Sequence, residues 1–247
     1  VTDFLNIIDN QYIDFVHRHI LKIPSQTNKY LLFGSLVHGV IEDLYTQKVN
    51  FANYEEELVL KCLELRMTKL PILKSEKEDM RKKALLLFPR IYKYLLSKKF
   101  VDPGVEVFMN CKLPCNQDFI PLIGAIDVLN IDRKKNLLEI YDFKTGKAID
   151  NLDLERGDQS KKLKAFRYKI QLHFYILLLN LYFGQSYAAF QKQASLIFIE
   201  SAKLENMQVD LEFDLDFYEK LKVVIQNIYY IVKHNQPMDT SKYSQDF

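Results

Sequence analysis

Glycine and proline are scarce, at seven residues each in 247, which excludes long low-complexity or disordered tracts rich in either. Cysteine is scarcer. Cys62, Cys111 and Cys115 are odd in number and too widely spaced for a disulfide framework. Cys111 and Cys115 supply half of a zinc-type set, with no second pair and no suitably spaced histidines. The expectation is reduced thiols in a cytoplasmic protein. No apolar run is long enough to span a bilayer; the longest, residues 174–183, is interrupted by Asn180. No segment reads as a secretory signal, and no repeat of fixed period is present. Excess charge of one sign is also missing. The formal net charge is +2, so any surface for a polyanion has to come from local clustering.

What is present is a change of hydrophobic period along the chain. Residues 2–21, 33–45, 54–69 and 75–99 carry apolar residues at helical spacing, with Pro71 ending the third helix. Pro89 predicts a kink or break in the fourth. From Val105 the pattern turns to β-type, with Pro114 and Asn116 marking a turn. Strands are predicted over 120–131 and 137–143, joined by a polar turn over 132–136. A long polar loop is predicted over 145–162, and such loops are often functional. A helix over 163–183, a strand over 194–200, an edge strand over 209–213 and a helix over 215–233 complete the chain. The order predicts an α/β protein: a central mixed sheet of four or five strands flanked by helices. Residues 1–100 form a helical annex packed on a core of residues 101–247.

Two carboxylates are out of place in this pattern. Asp127 lies within the apolar run Gly124-Ala125-Ile126-Asp127-Val128-Leu129, and Asp142 ends the next strand in Tyr141-Asp142-Phe143-Lys144. A charged group in an apolar strand is unfavourable unless it is paired or bound to a cation. A hairpin around residues 132–136 brings both carboxylates to one face, where they repel unless a divalent ion neutralises them. A few oxygen ligands with open positions suit Mg²⁺. Lys144 shares the face of Asp142 at i+2. There its ammonium can orient or deprotonate a water, or stabilise charge developing on a phosphoryl group. Gly34 and His38 share a helix face at i, i+4, as do Gln171 and Tyr175.

Together Gly34…His38, Glu106, Gly124-Ala125-Ile126-Asp127, Asp142-Phe143-Lys144 and Gln171-Leu172-His173-Phe174-Tyr175 resemble the PD-(D/E)xK nuclease superfamily. They are most like its RecB-like branch, including AddB-type domains attached to helicases. The five marks stand in family order, and the resemblance spans residues 2–235. It implies a restriction-endonuclease-like core and a DNA nuclease dependent on Mg²⁺ or Mn²⁺. His38, Asp127, Asp142 and the backbone carbonyl of Phe143 would ligate the metal, and Lys144 would be the catalytic lysine. Gln171 and Tyr175 would order the lysine or contact the DNA backbone. Glu106 would help hold a second cation or orient a water. The implied substrate is single-stranded DNA or DNA ends, processed by exonuclease action in recombination or repair. The implied partner is a helicase motor in the same polypeptide or complex. A first residue of valine fits a piece of a longer polypeptide.

One departure from the family is informative. Several relatives hold an iron–sulfur cluster through one cysteine before the histidine helix and three near the C-terminus. No cysteine here precedes His38 or follows Cys115, so no such cluster is expected. The chain also carries no phosphate-binding glycine-lysine loop and so no motor of its own. Lys161, Lys162, Lys164, Arg167 and Lys169 cluster just before Gln171 and are expected to bind DNA phosphates. A second basic stretch comprises Arg81, Lys82, Lys83, Arg90 and Lys93. The competing reading is a catalytically inactive DNA-binding or scaffolding module that kept the fold. A restriction-type, junction-resolving or CRISPR-associated nuclease is a third.

Overall fold

Among the described residues three helices precede the sheet in chain order: α1 (Lys29–Thr46), α2 (Glu56–Met67) and α3 (Lys74–Lys98). The computed structural model describes residues 29–47, 54–70, 72–116, 118–155, 157–201 and 203–234, and the helix expected over 2–21 lies outside them. Arg66 of α2 fixes the approach to α1, donating to both carboxylate oxygens of Asp43 at 2.6 and 2.7 Å and to Glu42 at 2.9 Å. Gly39 leaves room for that guanidinium, since a Cβ there would stand 2.0 Å from Arg66 Nη1. Pro89 does not end α3, which continues through it. Proline removes one intrahelical bond, but Met80, Ala84, Leu87, Phe88, Ile91, Tyr92 and Leu95 are all buried along this helix. Their burial, at about 1.5–3 kcal/mol for each large side chain, outweighs a proline cost of about 3 kcal/mol.

β1 (Pro103–Cys115), β2 (Asp118–Asp132) and β3 (Leu137–Lys144) form an antiparallel meander. The turn residues Asn116 and Asn136 both adopt left-handed backbone, at φ 53° and 50°, a conformation asparagine tolerates better than most residues. Asp132 Oδ1 accepts from the amides of Lys134 and Lys135, each at 3.1 Å, which builds the second turn. β4 (Gln191–Phe198) then pairs with β3 in parallel, and a parallel pair needs a crossover. Helix α4 (Gln159–Phe183) supplies it. It starts earlier than the expected 163 because Asp158 caps it, accepting from the Lys161 amide at 2.9 Å. β5 (Gln208–Asp210), antiparallel to β4, and α5 (Leu215–Lys233) complete the described chain. The sheet order is β1-β2-β3-β4-β5.

Each face of the sheet is covered by helices. On one side Met109, Leu122, Ile140, Leu196 and Phe198 pack with the apolar stripes of α4 and α5. On the other Val128, Tyr141, Phe143 and Ile197 pack with α1, α2 and α3. Gly124 lets α4 lie close on β2, where a Cβ would stand 2.5 Å from Leu178 Cδ1. This is the expected α/β class, a mixed five-stranded sheet flanked by helices. All three cysteines are free. Among the described residues no helix is long and apolar enough to cross a membrane.

Candidate active site

The regular strand pattern fails at one place. Val105 and Val128 pack toward α1–α3, whereas Val107 and Ile126, two residues away on the same strands, pack toward α4 and α5. Side chains two apart on a strand share a face, so the alternation slips by one between them. The residues at the slip are Glu106 and Asp127. They lie opposite one another between the pairs Val105–Val128 and Val107–Ile126. Glu106 has φ 48°, a left-handed conformation that costs a non-glycine residue on the order of 1–3 kcal/mol and is found chiefly at functional sites. Like charges directly opposite across a strand pair are destabilising in themselves.

The β2–β3 ladder also stops here. Its last pair is Val128–Tyr141, and Asp127 Oδ2 accepts from the amide of Phe143 at 2.7 Å, standing in for a ladder bond. This places the Phe143 carbonyl and Asp127 together. His38 joins them from α1: Nε2 donates to the Phe143 carbonyl at 2.9 Å, and Nδ1 lies 3.3 Å from Asp127 Oδ2. Burial of the ring opposes its charge, but the hydrogen bond and charge of Asp127 and the charge of Asp142 outweigh it, raising its pKa to about 9. Without a metal this favours the imidazolium between a carbonyl and a carboxylate; to ligate an ion the ring must give up a proton and free one nitrogen lone pair. One ligand atom each of His38, Glu106 and Asp127 lie within 4.8 Å of one another. Burial, with the charge of Asp127, pushes the Glu106 carboxyl above its ordinary range.

Gly34 explains the reach of His38. A Cβ at Gly34 would lie 3.1 Å from Thr145 Oγ1, so α1 rests closely against the residue that follows β3. We expect Gly34→Ala to leave stability within about 1 kcal/mol of native, because helix propensity gained offsets the crowding. Activity should fall several-fold, since His38 lies one turn along. Thermal melts alongside a cleavage assay test this, and unchanged activity would contradict it.

Asp142 lies at the other side of the cluster, 2% exposed. Its Oδ1 accepts from Gln171 Nε2 and Tyr175 Oη, each at 3.0 Å. Its Oδ2 makes no hydrogen bond of good geometry and is ion-paired with the Lys144 ammonium. Lys144 donates to Gln171 Oε1 at 2.9 Å, and Gln171 Nε2 also donates to Tyr175 Oη at 2.9 Å. Burial pushes the Asp142 carboxyl up, while the Lys144 charge pulls it down. Lys144 is desolvated too, yet Asp142 holds it above the ordinary lysine range. We read the pair as ionised, because each charge is the chief compensation of the other.

The structure thus joins the seven side chains expected to act in catalysis or metal binding, but in two groups. His38, Glu106 and Asp127 could share one ion, with the Phe143 carbonyl beside them. Asp142 falls in the second group with Lys144, Gln171 and Tyr175, and Glu106 is drawn in more closely than its position at a strand start suggested. Three carboxylates here face two cations, so a further positive charge fits. The donor set of carboxylate, carbonyl and one imidazole suits Mg²⁺ or, because of the imidazole, Mn²⁺.

The basic cluster divides. Lys161, Lys164, Tyr168, Gln171 and Tyr175 recur at spacings of three and four on α4 and so form one stripe. It leads from the buried Tyr175 out to the exposed Lys161. Arg167 flanks it. Lys162 and Lys169 lie round the helix, and Lys169 pairs with Asp214 at 3.1 Å, its ammonium 4.7 Å from the Phe217 ring. The second basic stretch serves packing in part, with Lys83 on Glu200 at 2.7 Å and Arg90 donating to the Ser201 carbonyl at 3.2 Å. Two further residues of α4 bear on the site and its scaffold. Tyr168, whose only signal is its place three before Gln171, has its ring centre 5.4 Å from Lys144 Nζ. His173 is fully buried; it donates from Nδ1 to the Lys169 carbonyl and accepts the Asp214 amide at Nε2, tying α4 to the start of α5.

Comparison with known proteins bears on the family of the chain. The family model described as "PD-(D/E)XK nuclease superfamily" matches residues 12–240. No curated protein matches the chain. Among solved structures that match is one titled "Crystal structure of SSO0001", 12% identical, covering 96% of this chain and 86% of that one with a TM-score of 0.36. Superfamily members are generally nucleases, and they use divalent metal ions. With its family model matched over nearly its whole length, this chain belongs to the PD-(D/E)XK nuclease superfamily.

Proposed function

We propose that this chain is a deoxyribonuclease dependent on Mg²⁺ or Mn²⁺ that hydrolyses phosphodiester bonds in single strands or at ends. We further propose that it works beside a helicase motor in recombination or repair, a reading supported by the likeness of its five marks to helicase-attached domains. The observation that carries the nuclease reading is the convergence of an imidazole, three carboxylates and a lysine ammonium at one end of the sheet.

His38, once it has lost a proton, would hold the ion with Asp127, the Phe143 carbonyl and, as the family resemblance implies, Asp142, with Glu106 adjoining His38 and Asp127. Bound there, the ion would supply Lewis-acid polarisation of a phosphoryl oxygen and a water of lowered pKa. The chain's own residues do the rest. Lys144 sets its ammonium where charge develops on the phosphoryl oxygens, and it is already fixed by Asp142 and Gln171, so little reorganisation is needed. Gln171 and Tyr175 hold the Asp142 carboxylate in one orientation. Lys161 and Lys164, on the same stripe, neutralise neighbouring phosphates.

Tyr175→Phe should lower the cleavage rate about 10- to 100-fold, as loss of an orienting contact on a metal site does. Steady-state rates at saturating metal check this. Single- and double-stranded DNA and RNA, labelled at either end, test the function itself with Mg²⁺, Mn²⁺ or chelator. DNA should be shortened from its ends only when metal is present, with RNA left intact. Intact DNA with both ions, or RNA cut as readily, would overturn the reading.

A further inference from the structure

Tyr168 sits on the α4 stripe three residues before Gln171 and seven before Tyr175. Its ring centre lies 5.4 Å from Lys144 Nζ and 5.8 Å from Lys164 Nζ. The ring is also edge-on to Phe198, centres 5.8 Å apart, and Phe198 stands directly opposite Lys144 in the β3–β4 register. Tyr168 is half-buried. An aliphatic side chain would pack on Phe198 equally well, so packing alone does not call for an aromatic ring at this position.

Resting on the nuclease reading, we propose that Tyr168 is a positioning residue for Lys144, its ring confining the ammonium while leaving a hydrogen free for the substrate phosphate. The ammonium has three N–H groups. Gln171 accepts from one of them, and the Asp142 carboxylate is ion-paired against another side of the ammonium. A third oxygen acceptor at this point would compete with a phosphoryl oxygen for the last hydrogen. An aromatic face attracts the cation without accepting a full hydrogen bond, so it restrains Nζ and leaves that proton available. The same ring draws Lys164, which also donates to the Lys147 carbonyl, toward the mouth of the site. Two cations are thereby held around one ring, Lys144 from β3 and Lys164 from α4, and the helical rise of about 1.5 Å per residue puts Lys164 roughly 10 Å along the axis from Gln171.

The test compares the wild-type chain with Tyr168→Met and Tyr168→Phe. Loss of a desolvated cation–ring contact corresponds to about a 5- to 30-fold fall in kcat, with KM for a single-stranded oligonucleotide moved less than twofold. Tyr168→Phe keeps the ring and should recover at least half of the native kcat. A second readout needs no metal or substrate. Lys144 ε-methylene and ammonium resonances, identified by their loss in Lys144→Arg, should be shifted upfield by the ring in the wild type and in Tyr168→Phe. They should return to ordinary lysine values in Tyr168→Met. Wild-type cleavage with Tyr168→Met within twofold of it, or Tyr168→Phe as impaired as Tyr168→Met, overturns the proposal and leaves the nuclease reading intact. Unshifted Lys144 resonances in the wild type overturn it as well. A wild type that cleaves nothing overturns both.

Discussion

Lys144→Met should lower DNA cleavage by on the order of 10²–10³-fold, the usual consequence of removing one preorganised group that stabilises transition-state charge. The substitution also acts on the fold, and the two effects separate. Asp142 Oδ2 is buried and has the Lys144 ammonium as its partner. Taking away one member of a buried pair costs about 3–5 kcal/mol, because the remaining charge is left uncompensated. A fall in activity in the single variant therefore mixes chemistry with instability. The double variant Asp142→Asn/Lys144→Met removes both charges, while Gln171 and Tyr175 still find an amide oxygen to donate to. Its thermal midpoint should recover most of the single variant's loss, but its cleavage should not recover at all. Thermal melts and end-labelled cleavage on the three proteins check this. Activity that returned together with stability would make Lys144 a structural residue.

The second large effect is on stability alone. Glu106, Asp127 and Asp142 face His38 and Lys144 in one cluster, and Glu106 and Asp127 stand directly across a strand pair. Anything cationic that binds here relieves their repulsion in the folded state and not in the unfolded one. At a metal concentration about 100 times Kd the folded state gains about 2.7 kcal/mol. For a chain of this size that is a rise of roughly 5–10 °C in Tm, at about 2–4 °C per kcal/mol. Asp127→Asn should abolish most of the rise. Glu106→Gln should raise the metal-free Tm, since the opposed like charge is gone, and reduce the gain from Mn²⁺. Differential scanning calorimetry in chelator and in Mn²⁺ reads all of these, and an equal rise in Asp127→Asn would place the ion elsewhere.

The parts of the molecule that could be read from residues are those where one local rule dominates. The closing helix matches its predicted ends, Leu215–Lys233, because Phe217, Leu221, Val224, Ile225 and Ile228 make a single apolar stripe and Asp214 caps it. The β2–β3 hairpin was legible from Asp132 and the polar turn that follows. Asp127, Asp142 and Lys144 stood out because charge in an apolar strand calls for a partner. Where rules compete, the residues alone do not decide. Pro89 argued for a kink or a break in α3, and the helix does not break there, held by the buried stripe on either side. Glu106 looked like an ordinary acidic residue near a strand start; its left-handed φ and the slipped alternation around it are backbone properties with no signature in side-chain type. The five basic residues before Gln171 are neighbours in sequence, but a helix of 3.6 residues per turn distributes them around its axis, and Asp214, 45 residues from Lys169, claims one of them. The contact of Tyr168 with Lys144 leaves no trace in residue spacing, since Lys144 is on another element.

The account depends on His38, Glu106, Asp127 and Asp142 serving one metal-dependent hydrolytic centre with Lys144. The most direct measurement is cleavage of an end-labelled single-stranded DNA by wild type and by Asp142→Asn, in Mn²⁺ and in chelator, with folding of both confirmed by circular dichroism. The predicted result is cleavage by the wild type in Mn²⁺ only, and none by Asp142→Asn in either condition. Cleavage that persists in chelator, or that survives loss of the Asp142 charge, would contradict it.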